Sequence, residues 1–300
     1  MQINGVTIED TFAEAFGMKA TRVMITAGTL RWARTAAETM TGFATSVIGC
    51  GVEAGIEAEW QPEQTPDGRP GVSVLMFAMS GKDLTKQLER RAGQCVLTCP
   101  TTALFAGMEG EEAIPMGKQL RYFGDGYQIS KVINGTRYWR VPVMDGEFVV
   151  EESTSRCPAI GGGNFLVLAE SQALALAACE DAVDAMRKLP NIVLPFPGGI
   201  VRSGSKVGSK YKALMASTND AYCPTLRGLV KSNLDDDTHA VLEIVLNGID
   251  ETDISNAMRV GIQAVCNHGR DGGIVRISAG NYGGKLGKYH FHLREIMSCA

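Results

Sequence analysis

A chain of 300 residues is longer than one small domain needs, so it holds one large or two medium domains. Lys and Arg number 29 and Asp and Glu 33, a formal net charge of -4 at pH 7, which leaves no cationic field for a phosphate backbone and excludes a general nucleic-acid binder. Hydrophobic residues at 45% and charged residues at 21% exclude bulk disorder, and no apolar run reaches the ~18 residues of a membrane-spanning helix.

The opening MQINGVTIEDTFAEAF is acidic where a signal peptide is basic and lacks an apolar stretch, so a cytoplasmic chain with reduced cysteines is expected. Residues 23–27 read as a strand, and Leu30, Ala33, Ala37 and Met40 form one apolar helix stripe. Residues 46–49 read as strand. The polar loop PEQTPDGRPG follows, then a nearly continuous apolar strand over 72–79. Ser80 and Asp83 open a helix carrying Leu84 and Leu88, and 95–97 read as the next strand. The order is β-α-β-β-α-β. Strand-like RYWRVPV and EFVVE, with the turn signals FGDGY and VMDGE, mark an insertion and connection over about 107–160.

The second half repeats the order. Residues 164–169 form a strand, and Ser171 caps a helix with the stripe Leu176, Cys179, Val183 and Met186, stopped by Pro190. Strands follow at 192–196, 211–216 and 240–246. Asp250 and Asp253 open a helix with Ile254, Met258, Val265 and an unfavourable Gly261, and strands at 274–278 and 288–293 close the pattern. The duplicated order predicts an α+β fold. It has two ferredoxin-like α/β-sandwich lobes with predominantly antiparallel sheets, residues 1–144 (N-terminal, distal) and 145–300 (C-terminal, proximal). Runs such as VSVLMF and FLVLA are apolar on both faces, so both sheet faces are expected to be covered.

Several chemistries are missing from the pattern. SGSKVGSK and GNYGGKLGKY are not Walker loops, no strand-GxGxxG-helix unit occurs, and none of the four histidines sits in HExxH, so no metal ligands are assigned. His290 and His292 share a strand face and read as polar tips on it. Cys99, Cys157 and Cys223 precede proline and read as small residues at strand-to-loop corners.

Two glycine-rich segments carry more information. FPGGIVRSGSKVGSKYK places Gly198, Gly199, Gly204 and Gly208 among Ser205, Arg202, Lys206 and Lys210. SAGNYGGKLGKY repeats the theme with Asn281, Tyr282, Lys285 and Lys288. Backbone amides interleaved with cations suit an anionic or amide-rich ligand, and exposed hairpin turns are the competing reading. In HAVLEIVLNG, alternation puts Glu243 on one face with Val241, Val245 and Asn247. On a covered face its neutral form is favoured and it can serve an oxyanion or move a proton; on a wet face it is a surface carboxylate.

These segments, with GQCVLTCPTTALF, CPTLRG and the opening NGVTIEDTFAEAF, together resemble the formylmethanofuran:tetrahydromethanopterin formyltransferase family, in order from residue 2 to about 293. The resemblance implies two sandwich lobes, homodimers or homotetramers, and formyl transfer between N-5 of tetrahydromethanopterin and the amine of methanofuran or an analogue. Both carriers are substrates, with no bound cofactor or metal. It implies a ternary complex, a tetrahedral intermediate and Glu243 as the catalytic residue. Carrier contacts are then expected from Gly204, Ser205, Lys206, Asn281, Tyr282 and Lys285. The modest charge and the REIMSCA tail point to a bacterial member oxidising formaldehyde to formate, with formyl hydrolase subunits as partners. The alternative is a non-catalytic carrier-binding scaffold in a hydrolase complex.

Overall fold

A computed structural model describes residues 1–110 and 112–298; Cys299 of the tail lies outside the described residues. The N-terminal β-α-β-β-α-β order is formed by β1 (Phe12–Thr26), α1 (Leu30–Thr41), β2 (Glu53–Trp60), β3 (Gly71–Ala78), α2 (Gly81–Arg91) and β4 (Ala103–Ala106). β1 pairs antiparallel with β3 and β4, and β3 pairs antiparallel with β2. The spatial order is therefore β4-β1-β3-β2, a ferredoxin-like sheet. α1 buries Ala33, Ala36, Ala37 and Met40. The Ser80 hydroxyl accepts from the Asp83 N–H at 3.1 Å to start α2, which buries Leu84 and Leu88. β3 is buried at every residue, as its unbroken apolar run requires.

Two expected strands in this half are helical. Residues 46–49 become the short helix Val47–Cys50, capped by Ser46 and ended by Gly51 at φ +72°. Cap and stop outweigh two β-branched residues. Residues 95–97 lie in and just after a π-helical turn, Ala92–Val96, that prolongs α2, with the Leu97 N–H bonded to the Ala92 carbonyl at 2.9 Å. The strand comes later, as β4. The segment expected as an insertion adds β5 (Ile129–Ile133), β6 (Thr136–Val143) and β7 (Gly146–Glu151). β7 runs parallel to β4 and antiparallel to β6, and β6 is antiparallel to β5. Asn134 and Gly135, at φ +50° and +84°, make the tight turn between β5 and β6.

The second half builds β8 (Ser153–Ala169), α3 (Gln172–Met186), β9 (Ile200–Val201), β10 (Ala240–Gly248), α4 (Glu251–His268) and β11 (Ile274–Ser278). β8 is antiparallel to β10 and β11, and β9 to β10, giving β11-β8-β10-β9, the same order again. The expected strand 192–196 shrinks to Ile192–Val193, because Pro195 and Pro197 cannot donate to a ladder. Residues 211–215 form exposed turns, and only Ala216–Ser217 pairs, with Lys206–Val207. Strand 288–293 is realised as β12 (Tyr289–His292), antiparallel to the start of β1.

α3 buries Cys179, Val183 and Met186 of the expected stripe together with Ala175, Ala178 and Ala182, and only Leu176 departs from it, being exposed. Gly261 has a packing reason. A Cβ there would lie 2.5 Å from Met186 Sδ and 3.0 Å from Phe165 Cζ, so α3 and α4 approach closely only over glycine.

By packing, the chain divides into Met18–Ala159 and a second unit of Met1–Gly17 with Ile160–Ala300, so the first residues of the chain belong with the C-terminal half. No described helix is long and apolar enough to cross a membrane.

Candidate active site

Glu243 lies in β10, between two strands. In register it faces Leu166 of β8 on one side and Val201 of β9 on the other, and Leu166 in turn faces Ser278 of β11. Leu166, Val201 and Ser278 are all buried. Across the sheet, Ile244 and Leu246 point into the helix-covered core with Phe165 and Val167, which leaves Glu243 on the opposite face. The residue keeps some surface. Yet no hydrogen bond or ion pair reaches its carboxyl among the described residues, and burial pushes its pKa up to about 7 from 4.5. A group that can still be reached, but is too poorly hydrated to ionise early, has the properties of an acid poised near neutrality.

Polar groups gather around it. Asn164, two residues before Leu166 in β8 and 6% exposed, faces Val245. Its Nδ2 donates to the carbonyls of Gly162 and Gly280 at 3.0 and 3.2 Å, and its Oδ1 accepts the Gly280 N–H at 2.6 Å. That clasp brings the loop after β11 against Glu243. A Cβ on Gly280 would sit 3.6 Å from Glu243 Oε1 and 3.1 Å from Asn164 Oδ1. Tyr222 adds a hydroxyl, 3.1 Å from Ser278 Oγ.

The expected carrier-contact residues divide into two groups. Asn281 follows Gly280, and its Nδ2 donates to Thr11 Oγ1 and the Phe12 carbonyl at 3.2 and 3.3 Å. The Tyr282 ring lies 6.0 Å from that of Phe16, and Lys285 is exposed without an ion pair among the described residues. Gly204, Ser205 and Lys206 come just after β9. Gly204 has φ +57°, Ser205 is exposed, and Lys206 Nζ donates to Asp220 Oδ2 at 2.5 Å. The ammonium beside it holds the Asp220 carboxyl below the usual carboxylate range. The glycine-lysine loop therefore carries its own counter-charge, which composition alone did not show.

His290 and His292 pack their rings on Phe12, with centroids 4.8 and 5.2 Å away. The seven described cysteines are free thiols. Burial pushes Cys179 and Cys266 up to about 12 and raises Cys95, Cys99 and Cys157. Cys50 goes the other way: burial raises it, but hydrogen bonds at Ser46 and Thr45 and the Arg91 guanidinium outweigh burial. Among the described residues, no group of three or more His, Cys, Asp or Glu is placed to hold a metal ion.

The family described as formylmethanofuran-tetrahydromethanopterin formyltransferase matches residues 1–143, and that family's proximal lobe matches residues 146–296. The chain belongs to this family. It is 68% identical to the formylmethanofuran–tetrahydromethanopterin formyltransferase of Methylobacillus flagellatus, over 99% of this chain and 100% of that one. It is similar in structure to a chain of the formyltransferase/hydrolase complex from Methylorubrum extorquens, solved with methylofuran. The TM-score is 0.96 and the identity 51%, over 99% of this chain and 98% of that one. The formyltransferase of Methanosarcina barkeri gives a TM-score of 0.93 at 50% identity, over 99% of this chain and 100% of that one. The α+β fold with mostly antiparallel sheets is thus the formyltransferase fold. Asn164, Tyr222 and Ser278 were missed in the sequence; an Asn opening the apolar run NFLVLA was the one available signal.

Proposed function

We propose that this chain transfers a formyl group between N-5 of tetrahydromethanopterin and the primary amine of methanofuran or an analogue. Both carriers are diffusible substrates held together in one ternary complex. The attacking nitrogen bonds to the formamide carbonyl carbon, and the carbonyl π pair moves onto oxygen. The tetrahedral intermediate collapses as the old C–N bond breaks and the departing nitrogen takes a proton. Neutral Glu243 donates a hydrogen bond to the developing oxyanion and relays the proton from the attacking to the departing nitrogen. Gly204, Ser205, Lys206, Asn281, Tyr282 and Lys285 supply carrier contacts, and alignment of the two carriers provides much of the acceleration.

One observation carries the reading: a carboxyl with a pKa near 7 next to a loop backbone that approaches it closely. Glu243→Gln keeps the shape and loses the proton relay. In a spectrophotometric assay with formylated pterin its kcat is expected to fall at least a hundredfold. A fall of less than tenfold, about 1.4 kcal/mol of barrier, removes the role from Glu243.

The Methylorubrum extorquens relative comes from a formyltransferase/hydrolase complex, which supports the bacterial direction for this chain. The formyl group then runs from the pterin to the furan carrier in the cytoplasm. A homodimeric or homotetrameric transferase core passes it to hydrolase subunits that release formate. Size-exclusion chromatography of native extract is expected to show a hetero-complex; a free homo-oligomer alone argues against it. The scaffold reading requires an isolated chain without activity, whereas turnover by the isolated chain rejects it.

A further inference from the structure

Glu14 is a carboxylate 1% exposed to solvent, with no cation paired to it among the described residues. Four backbone N–H groups of one loop converge on it instead. Tyr282 and Gly284 donate to Oε2 at 2.7 and 2.8 Å, and Leu286 and Gly287 donate to Oε1 at 2.6 and 2.5 Å. Burial works to raise its pKa, but the four donors outweigh burial and hold the carboxyl below its ordinary value. An ionised carboxylate accepts about four hydrogen bonds, so Glu14 has no lone pair left for a substrate or a proton.

The loop has the shape of an anion site. Gly283 and Gly284, at φ +82° and +69°, curl the backbone so that the Tyr282 and Gly284 amides face the carboxylate while the Gly283 N–H donates to Asn281 Oδ1 at 3.2 Å, and concavities of converging amides bind phosphate or carboxylate. Here the anion belongs to the chain itself. Gly287 seals the contact: a Cβ there would lie 2.5 Å from the Ala15 carbonyl and 2.7 Å from Glu14 Cγ. At its other end the loop begins at Gly280, beside Glu243. Between these two anchors stand Asn281, Tyr282 and Lys285.

We infer that Glu14 is a positioning residue for formyl transfer, an internal anion that holds the 280–287 loop in one shape so that Asn281, Tyr282 and Lys285 meet the carrier at set places beside Glu243. The inference rests on the function proposed above. Glu14→Gln exchanges one acceptor oxygen for an amino group facing two N–H donors. Glu14→Asp keeps the charge but withdraws it by about 1.5 Å, one C–C bond. Gly287→Ala leaves the carboxylate intact and pushes the loop away from it.

The three full-length variants are compared with the native chain for kcat, KM for each carrier, the pH profile of kcat, and tryptic cleavage after Lys285. The expected result is a tenfold or greater rise in KM for at least one carrier, with Gln worse than Asp. Cleavage after Lys285 faster than in the native chain accompanies it, and the pH midpoint set by Glu243 does not move. Gly287→Ala serves as the readout if Glu14→Gln does not fold by circular dichroism. The inference is overturned if folded variants keep native KM values and resist trypsin, or if they lose kcat alone with the loop uncut. A native chain without transferase activity defeats the proposed function instead, and the tryptic readout then still reports on the loop.

Discussion

Asn164 holds Gly280 at both polar atoms of its backbone: the Gly280 N–H donates to Oδ1 at 2.6 Å, and Nδ2 donates to the Gly280 carbonyl at 3.2 Å. One amide side chain thus fixes where the loop leaves β11 and how near it comes to Glu243. Asn164→Ala leaves the Gly280 N–H without this partner, whereas the Gly280 carbonyl keeps the Glu14 backbone N–H at 3.2 Å. One unmet donor costs about 1–3 kcal/mol, so urea unfolding is expected to show a loss in that range. Transferase activity should fall more than tenfold. Activity within twofold of native would show that the clasp has no part in the site.

Gly280→Ala tests the close approach directly. Its Cβ would lie 3.1 Å from Asn164 Oδ1, tight enough to displace the clasp, and 3.6 Å from Glu243 Oε1. The circular dichroism spectrum should stay native and the melting temperature should drop, as expected for a displaced clasp, while kcat falls at least fivefold. A variant that keeps native kcat would contradict this.

Glu243 links activity to stability through pH. Its native pKa of about 7 lies above the ordinary 4.5, so the native state holds the proton more tightly than the unfolded chain. The stabilising contribution is complete below about 4.5 and is lost as the pH rises through 7. At pH 8 the ionised carboxyl costs the native chain up to about 3 kcal/mol. Glu243→Gln should therefore be the more stable protein at pH 8 and equal to the native chain near pH 4, even though it is inactive. Urea titrations at the two pH values measure this, and equal stability of the two chains at pH 8 would refute the dry carboxyl.

Gly261→Ala sets helix propensity against packing. Alanine gains about 1 kcal/mol in a helix interior, but overpacking a filled core costs about 1–3 kcal/mol. The new Cβ would meet Met186 Sδ at 2.5 Å, and Met186 is fully buried. A lower melting temperature is expected, and Met186→Ala combined with Gly261→Ala should recover part of the loss attributed to the clash.

The elements legible in the sequence were those set by neighbouring residues. Ser80, Ser171 and Asp250 each cap the helix they were expected to cap, and the α1 stripe is buried at Ala33, Ala37 and Met40, with Leu30 half-buried. The misread segments, 46–49, 95–97 and 211–216, are short runs whose state depends on whether a partner strand reaches them. The face of Glu243 followed from alternation along β10. Its surroundings did not, because Leu166, Val201 and Gly280 come from distant parts of the chain.

By itself the order of residues determined the duplicated β-α-β-β-α-β plan, the family and the strand face that carries Glu243, since caps, helix stripes and strand alternation act over a few residues. Only the tertiary structure decided how dry that carboxyl is, and which groups satisfy the glycine loops. Desolvation and hydrogen bonding depend on what is brought alongside: Glu14 lies more than 260 residues from the amides it binds, and Asn164 lies 116 from Gly280. The glycines of AGNYGGKLG suggested an anion, and the folded chain supplies one of its own.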